Sequence, residues 1–100
     1  MKTLVVVCAL LTLMSVEKLA AQDATAGANV FISCAKCHGE KGDGNTELKA
    51  PKLSGQFDWY VVSQLAAFKS GTRKYKNDAT CATGLSDKDM ADVAAHVKSL

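Results

Sequence analysis

Five consecutive residues, Cys34-Ala35-Lys36-Cys37-His38, combine two thiols and an imidazole at a spacing that can do chemistry. Two cysteines separated by two residues and followed at once by histidine form the C-x-x-C-H pattern of covalent haem attachment. The spacing has a geometric reason. The two sulfurs must reach vinyl groups on neighbouring pyrroles of one porphyrin, and the imidazole must then come under the iron. Two intervening residues let one helical turn do both. Two other chemistries use paired cysteines. A thioredoxin-like redox pair expects a preceding strand in a β-α-β context, whereas an Ala-rich helical stretch precedes Cys34. A zinc site needs two further ligands at suitable spacing, and Cys81 and His96 stand in no such pattern. The motif therefore points to one covalent haem c, attached through Cys34 and Cys37, with His38 as the proximal iron ligand.

An export signal in front of the motif agrees with this. Lys2 precedes an apolar run from Leu4 to Met14, broken by Thr12 and followed by Ala20-Ala21. That is the layout of a secretory leader, and the run is too short to span a bilayer as a mature helix. Cleavage is expected after Ala21, with Ala24-Thr25-Ala26 as a second possible site and an uncleaved anchor as the alternative. Residues 1–21 are read as the leader and 22–100 as one domain, exported to the periplasm or an equivalent compartment. The full chain of 100 residues carries 12 Lys+Arg and 10 Asp+Glu; the leader holds Lys2, Lys18 and Glu17, so the remainder is close to neutral at +1. Such a balance indicates neither nucleic acid nor a strongly charged partner. Cys34, Cys37 and Cys81 remain, an odd number that an exported protein must account for. Two thioether bonds and one thiol are one account; a disulfide and one thiol are another.

Three helical segments must position these residues. The first runs from about Ala24 to Cys34, with Gly27 and Phe31 on one face. The second runs from about Asp58 to Ser70, with Asp58 as cap, Val61, Leu65 and Phe68 at helical spacing, and Gly71 after its end. The third runs from about Asp87 to Leu100. Ser86 and Asp89 read as its capping box, and Met90, Val93, Ala94, Val97 and Leu100 as its apolar stripe. No segment alternates as a strand does. The fold class is all-α, with long loops that need a large apolar group to pack on.

From Gly27 to Leu100 the sequence resembles class I c-type cytochromes, in particular the small periplasmic type related to cytochromes c4 and c553. The resemblance rests on Gly27-x-x-x-Phe31, on Cys34 to Gly39, and on Pro51-Lys52-Leu53-Ser54-Gly55-Gln56. It continues through Tyr60, Gln64-Leu65, Phe68, Gly71 and Arg73 to Leu85-Ser86-Asp87 and the Ala-rich helix that follows. It implies three main helices and long loops wrapped around one haem. It also implies that the Pro51 carbonyl accepts a hydrogen bond from His38; a plain turn is the other role open to Pro51.

One departure from the family pattern bears on function. The family supplies a methionine to the iron from the loop before the last helix, and here that loop reads Asn77-Asp78-Ala79-Thr80-Cys81-Ala82-Thr83-Gly84. Met90 lies on the apolar stripe and is explained as core. Cys81 stands about where the methionine is expected, which makes it the leading candidate for the distal ligand. A buried small residue and an intermolecular disulfide are the other readings of Cys81. An open iron, Lys74, Lys76 and His96 are the other readings of the sixth position. His96 also falls where the family packs an aromatic residue on the first helix. A thiolate favours ferric iron, so His38/Cys81 ligation implies a low-potential haem that loses Cys81 on reduction and takes up NO or CO. It also resembles the His/Cys cytochromes of anammox bacteria, which implies a second small monohaem cytochrome as partner in a heterodimer. The alternative is a soluble periplasmic electron carrier between redox enzymes. No acid–base pair marks the chain as an enzyme. Lys36, Lys41, Lys49 and Lys52 are either a docking patch for an acidic redox partner or ordinary solvated charge.

Overall fold

The computed structural model describes residues 22–74 and 81–100. The expected leader, with Cys8 and Met14, lies outside the described residues, as does Lys76. Three helices are present in the order α1 (Ala24–His38), α2 (Asp58–Ser70) and α3 (Asp87–Ser99). No strand forms among the described residues; an isolated bridge joins Asn45 and Ala50.

Each helix end has a local cause. Asp23 caps α1, its carboxylate accepting from the N–H groups of Thr25 at 2.9 Å and Ala26 at 3.1 Å. The helix runs through the whole of the C-x-x-C-H segment, one turn beyond the expected end at Cys34, and Gly39 closes it by donating to the Ala35 carbonyl at 2.8 Å. Asp58 was expected to cap α2 but is its first helical residue. Phe57 holds the cap position and makes no side-chain hydrogen bond there. Gly71 ends α2 in the left-handed conformation, with φ of 80°, which costs glycine nothing. In α3 the box expected from Ser86 and Asp89 is closed in both directions, at 3.0 and 3.1 Å.

The core is the crossing of α1 and α3. Phe31, Cys34, Val93 and Val97 form its buried cluster, with Val61 and Leu65 of α2 packed against it. Burying a side chain of this size contributes roughly 1.5–3 kcal/mol. Met90 and Ala94 are also buried, as the stripe expected of α3 requires. At the crossing the backbones nearly touch: a Cβ on Gly27 would stand 1.9 Å from the Asp92 carbonyl oxygen. The aromatic contact expected of His96 is present, its ring centroid lying 5.1 Å from that of Phe31.

Asp92 is the one buried charged residue among the described residues. Its Oδ1 accepts the Asp23 N–H at 2.9 Å and its Oδ2 pairs with Lys88 Nζ at 2.5 Å. The lysine and the backbone donor together hold its carboxyl below the ordinary aspartate range. Because the native carboxylate is the stabilised form, its contribution is full at neutral pH and is lost as pH falls below about 4.

Two outcomes follow for the crossing. Gly27→Ala forces the two backbones apart and costs about 3 kcal/mol, read by thermal denaturation of the intact protein. Asp92→Asn lowers the midpoint at neutral pH and removes part of the fall in stability on acidification; a profile parallel to wild type contradicts this role.

Candidate haem site

The last turn of α1 carries Cys34, Cys37 and His38. Cys34 points into the core and is 7% exposed, whereas Cys37 is exposed and His38 half-buried. The three side chains therefore lie at the edge of the core, with one thiol inside and one outside.

The loop after α1 returns to His38. Gly44 donates its N–H to the His38 carbonyl at 2.8 Å. Asn45 and Ala50 exchange backbone hydrogen bonds at 2.8 and 2.9 Å, closing residues 45–50 into a tight lobe. Leu53 and Ser54 then donate to the Gly42 carbonyl at 2.8 and 3.1 Å. Pro51 is pinned between these two contacts, and its carbonyl oxygen lies 2.8 Å from His38 Nδ1. A carbonyl only accepts, so Nδ1 carries the proton and Nε2 keeps its lone pair for a metal. Gly44 is where the loop is tightest: a Cβ there would meet the Ala50 oxygen and the Lys52 nitrogen at 2.8 Å, and its φ is +83°.

Cys81 comes to the same region from the other side. It is half-buried, packs against the core cluster that contains Cys34, and its thiol is within hydrogen-bonding reach of the Cys34 thiol. That hydrogen bond and burial push Cys34 up, and the same bond lowers Cys81 to about 7. The turn bearing Cys81 is tied to α2 by Lys69, whose Nζ donates to the Leu85 carbonyl at 2.8 Å. Beyond α2, Arg73 donates to Gln64 at 2.6 Å and lies 4.7 Å above the Phe68 ring, so the three fix the direction of the chain toward Lys74.

The donor set fits a covalently attached haem: two thiols one turn apart and an imidazole whose Nε2 is left for a metal, with a third thiol packed against the same cluster. It does not fit zinc, since among the described residues no three His, Cys, Asp or Glu side chains converge. Of the residues expected at the site, His38 meets Pro51 and Cys81 packs against the cluster that contains Cys34, while Cys37 faces outward from the same turn. Lys74 is exposed, and Met90 and His96 are taken up by the α1–α3 packing. Lys36, Lys41, Lys49 and Lys52 are all exposed. Gly44, Asn45 and Ala50, which place Pro51, carry no sequence signal beyond the glycine itself.

Comparison with known proteins agrees with this geometry. The model of the cytochrome c family matches residues 24–100. The chain is 42% identical over 82 residues to cytochrome c-554(548) of Halomonas halodenitrificans, covering 79% of this chain and 98% of that one. It is 41% identical over 81 residues to cytochrome c4 of Pseudomonas aeruginosa, covering 80% of this chain and 39% of the relative. The crystal structure of reduced recombinant cytochrome c4 from Pseudomonas stutzeri superposes with a TM-score of 0.71 at 30% identity, over 77% of this chain and 47% of that chain. The chain thus spans under half the length of both cytochrome c4 proteins. These relatives give no support to the narrower resemblance to His/Cys heterodimers.

Gly44→Ala cannot keep the loop closed and moves the Pro51 carbonyl. The Nδ1 proton of His38 is then expected to exchange with solvent faster than in wild type in the haem-bearing protein, by NMR, because its acceptor has moved. Unchanged exchange contradicts the positioning role of the loop.

Proposed function

The chain belongs to the cytochrome c family, is a monohaem c-type cytochrome and carries electrons; from that premise we propose a specific site and setting for the transfer. Cys34 and Cys37 would hold the haem through their sulfurs, with His38 Nε2 and the Cys81 sulfur as the ligands offered to its iron. A haem bound there supplies a one-electron iron couple. The observation that carries the proposal is the 2.8 Å contact between His38 Nδ1 and the Pro51 carbonyl, at the end of the same helical turn as both thiols.

The side chains divide the work. Pro51 holds the His38 ring and keeps Nε2 unprotonated. Phe31, Val93 and Val97 keep water from the Cys34 side. Cys81, as an anionic thiolate, would favour ferric iron and lower the potential relative to a thioether ligand. Cys81 would be the displaceable ligand, and a reduced haem without it would have a position for NO or CO. Among the described residues no helix is long and apolar enough to cross a membrane.

Cleavage after Ala21 is part of the proposal. Ala24-Thr25-Ala26 forms the first turn of α1, so a cut after Ala26 removes Asp23, the helix cap and partner of Asp92. A leader ending at Ala21 keeps both, and delivers the domain to the periplasm or an equivalent compartment. A redox protein is its partner there, docking on the exposed lysines around the attachment turn.

Absorption and low-temperature EPR of the oxidised protein test the ligand set. A low-spin thiolate signature is expected in wild type and is lost in Cys81→Ala, whose potential rises. Addition of CO to reduced wild type is expected to shift the haem spectrum. Identical spectra for wild type and Cys81→Ala free Cys81 from the iron and leave electron transfer without gas binding.

A further inference from the structure

We propose that the outward face of α2 pairs with the same face of a second copy of this chain, in an antiparallel two-fold dimer. The inference goes beyond the haem site and rests on no iron ligand. It starts from aromatic rings that the core does not use. Phe57 and Trp59 are 61% and 66% exposed, and Tyr60 is 38% exposed. The rings are ordered against one another. Phe57 stacks on Trp59 with centroids 6.0 Å apart, and Tyr60 meets Trp59 edge-on at 5.9 Å. Rings already held in place lose little freedom when a partner covers them.

Position on the helix separates this patch from the haem site. Val61 and Leu65 turn toward the cluster that contains Cys34. Trp59 precedes Val61 by two residues, about 200° around the helix, so it stands on the far side. Ser63, Ala66 and Ser70 follow Trp59 at helical spacing, and all are exposed. No charged residue falls on that stripe. Its hydroxyls are already bonded: Ser63 Oγ donates to the Tyr60 carbonyl at 2.8 Å, and Ser70 Oγ to the Ala67 carbonyl at 3.2 Å. Covering this face therefore leaves no donor unmet.

Shape and charge both select a second copy as the occupant. The face is large at its start, where the rings lie, and small at its end, where serine and alanine lie. Turned end for end by a two-fold axis, it fits itself, with each Trp59 over Ala66 and Ser70 of the other copy. A two-fold contact must be self-complementary in this way. Asp58 lies in the first turn of α2 and Lys69 in the last. The same operation sets each acid near the other copy's lysine and opposes the two helix dipoles. The three rings offer roughly 350 Å² per copy, against about 800 Å² per partner in a standard interface. The small residues add to this, so the dimer is modest and its population depends on concentration.

The experiment is sedimentation equilibrium of the protein purified from an exporting host, over a range of concentrations. Wild type is run beside Trp59→Lys and Ala66→Glu, two exposed positions, with circular dichroism to check that each variant keeps its helices. Wild type is expected to pass from one chain to two as concentration rises, in high salt as well as low. Each substitution is expected to raise the dissociation constant at least about tenfold, as loss of a central aromatic contact does. Ala66 lies two turns from Trp59 in its own copy, so only the antiparallel pairing makes it matter. Ala66→Glu that pairs like wild type overturns the proposal, as does wild type that stays a single chain at every concentration. A dimer that salt dissolves is held by surface charge and also overturns it. A single chain that floats with phosphatidylcholine vesicles, and no longer does so with Trp59→Lys, gives the face to a lipid surface instead.

Discussion

At Gly27 the backbone of α1 lies against the Asp92 carbonyl of α3 with no room for a side chain. Everything that places the haem site depends on this approach. It fixes the azimuth of α1, so that Phe31 and Cys34, one and two turns further on, face α3 while Cys37 faces outward. The crossing is locked at its open end by Asp92, which holds the first turn of α1 through the Asp23 N–H and is itself neutralised by Lys88. A buried carboxylate is costly unless its partners are in place, which ties the start of α1 to one register on α3. The far end of α1 then delivers the attachment turn to the loop that carries Pro51.

That loop shows how a segment without regular structure reaches a single conformation. It has few apolar residues to bury, so its order comes from backbone hydrogen bonds to fixed points. Gly42 and Gly44 bond to the neighbourhood of His38, Asn45 pairs with Ala50, and Gly55 donates to Val97 of α3 at 3.0 Å. The result is a polar strap anchored at both ends to the α1–α3 pair, with one carbonyl left to orient the imidazole. Because the strap is held by backbone contacts, its sequence is free to vary except where a glycine is required.

Much of this was legible in the sequence. The C-x-x-C-H spacing named the candidate attachment residues, the apolar period gave the three helices, and the Ser86–Asp89 box gave the start of α3 within a residue. Gly27 was flagged through the family resemblance, which rests in part on Gly27-x-x-x-Phe31. What was not legible depends on tertiary contact. Asp92 looks like any acid on an amphipathic helix until Asp23 and Lys88 are seen around it. The pairing of Asn45 with Ala50 is set by where the loop must return, not by local preference. The cap of α2 was misplaced by one residue because Asp58 bonds to its own neighbour, Trp59, at 2.9 Å. Cys81 stood out as an unexplained thiol, but its contact with Cys34 joins residues that only the fold brings together.

The central claim is that Cys34, Cys37 and His38 form one covalent haem site. Peptide mapping of the protein purified from an exporting host, together with its iron content, tests it most directly. The account predicts one iron per chain and a single peptide, spanning Cys34 to His38, that carries the porphyrin through both sulfurs. A peptide that carries both cysteines as free thiols, as a disulfide or with zinc would contradict it.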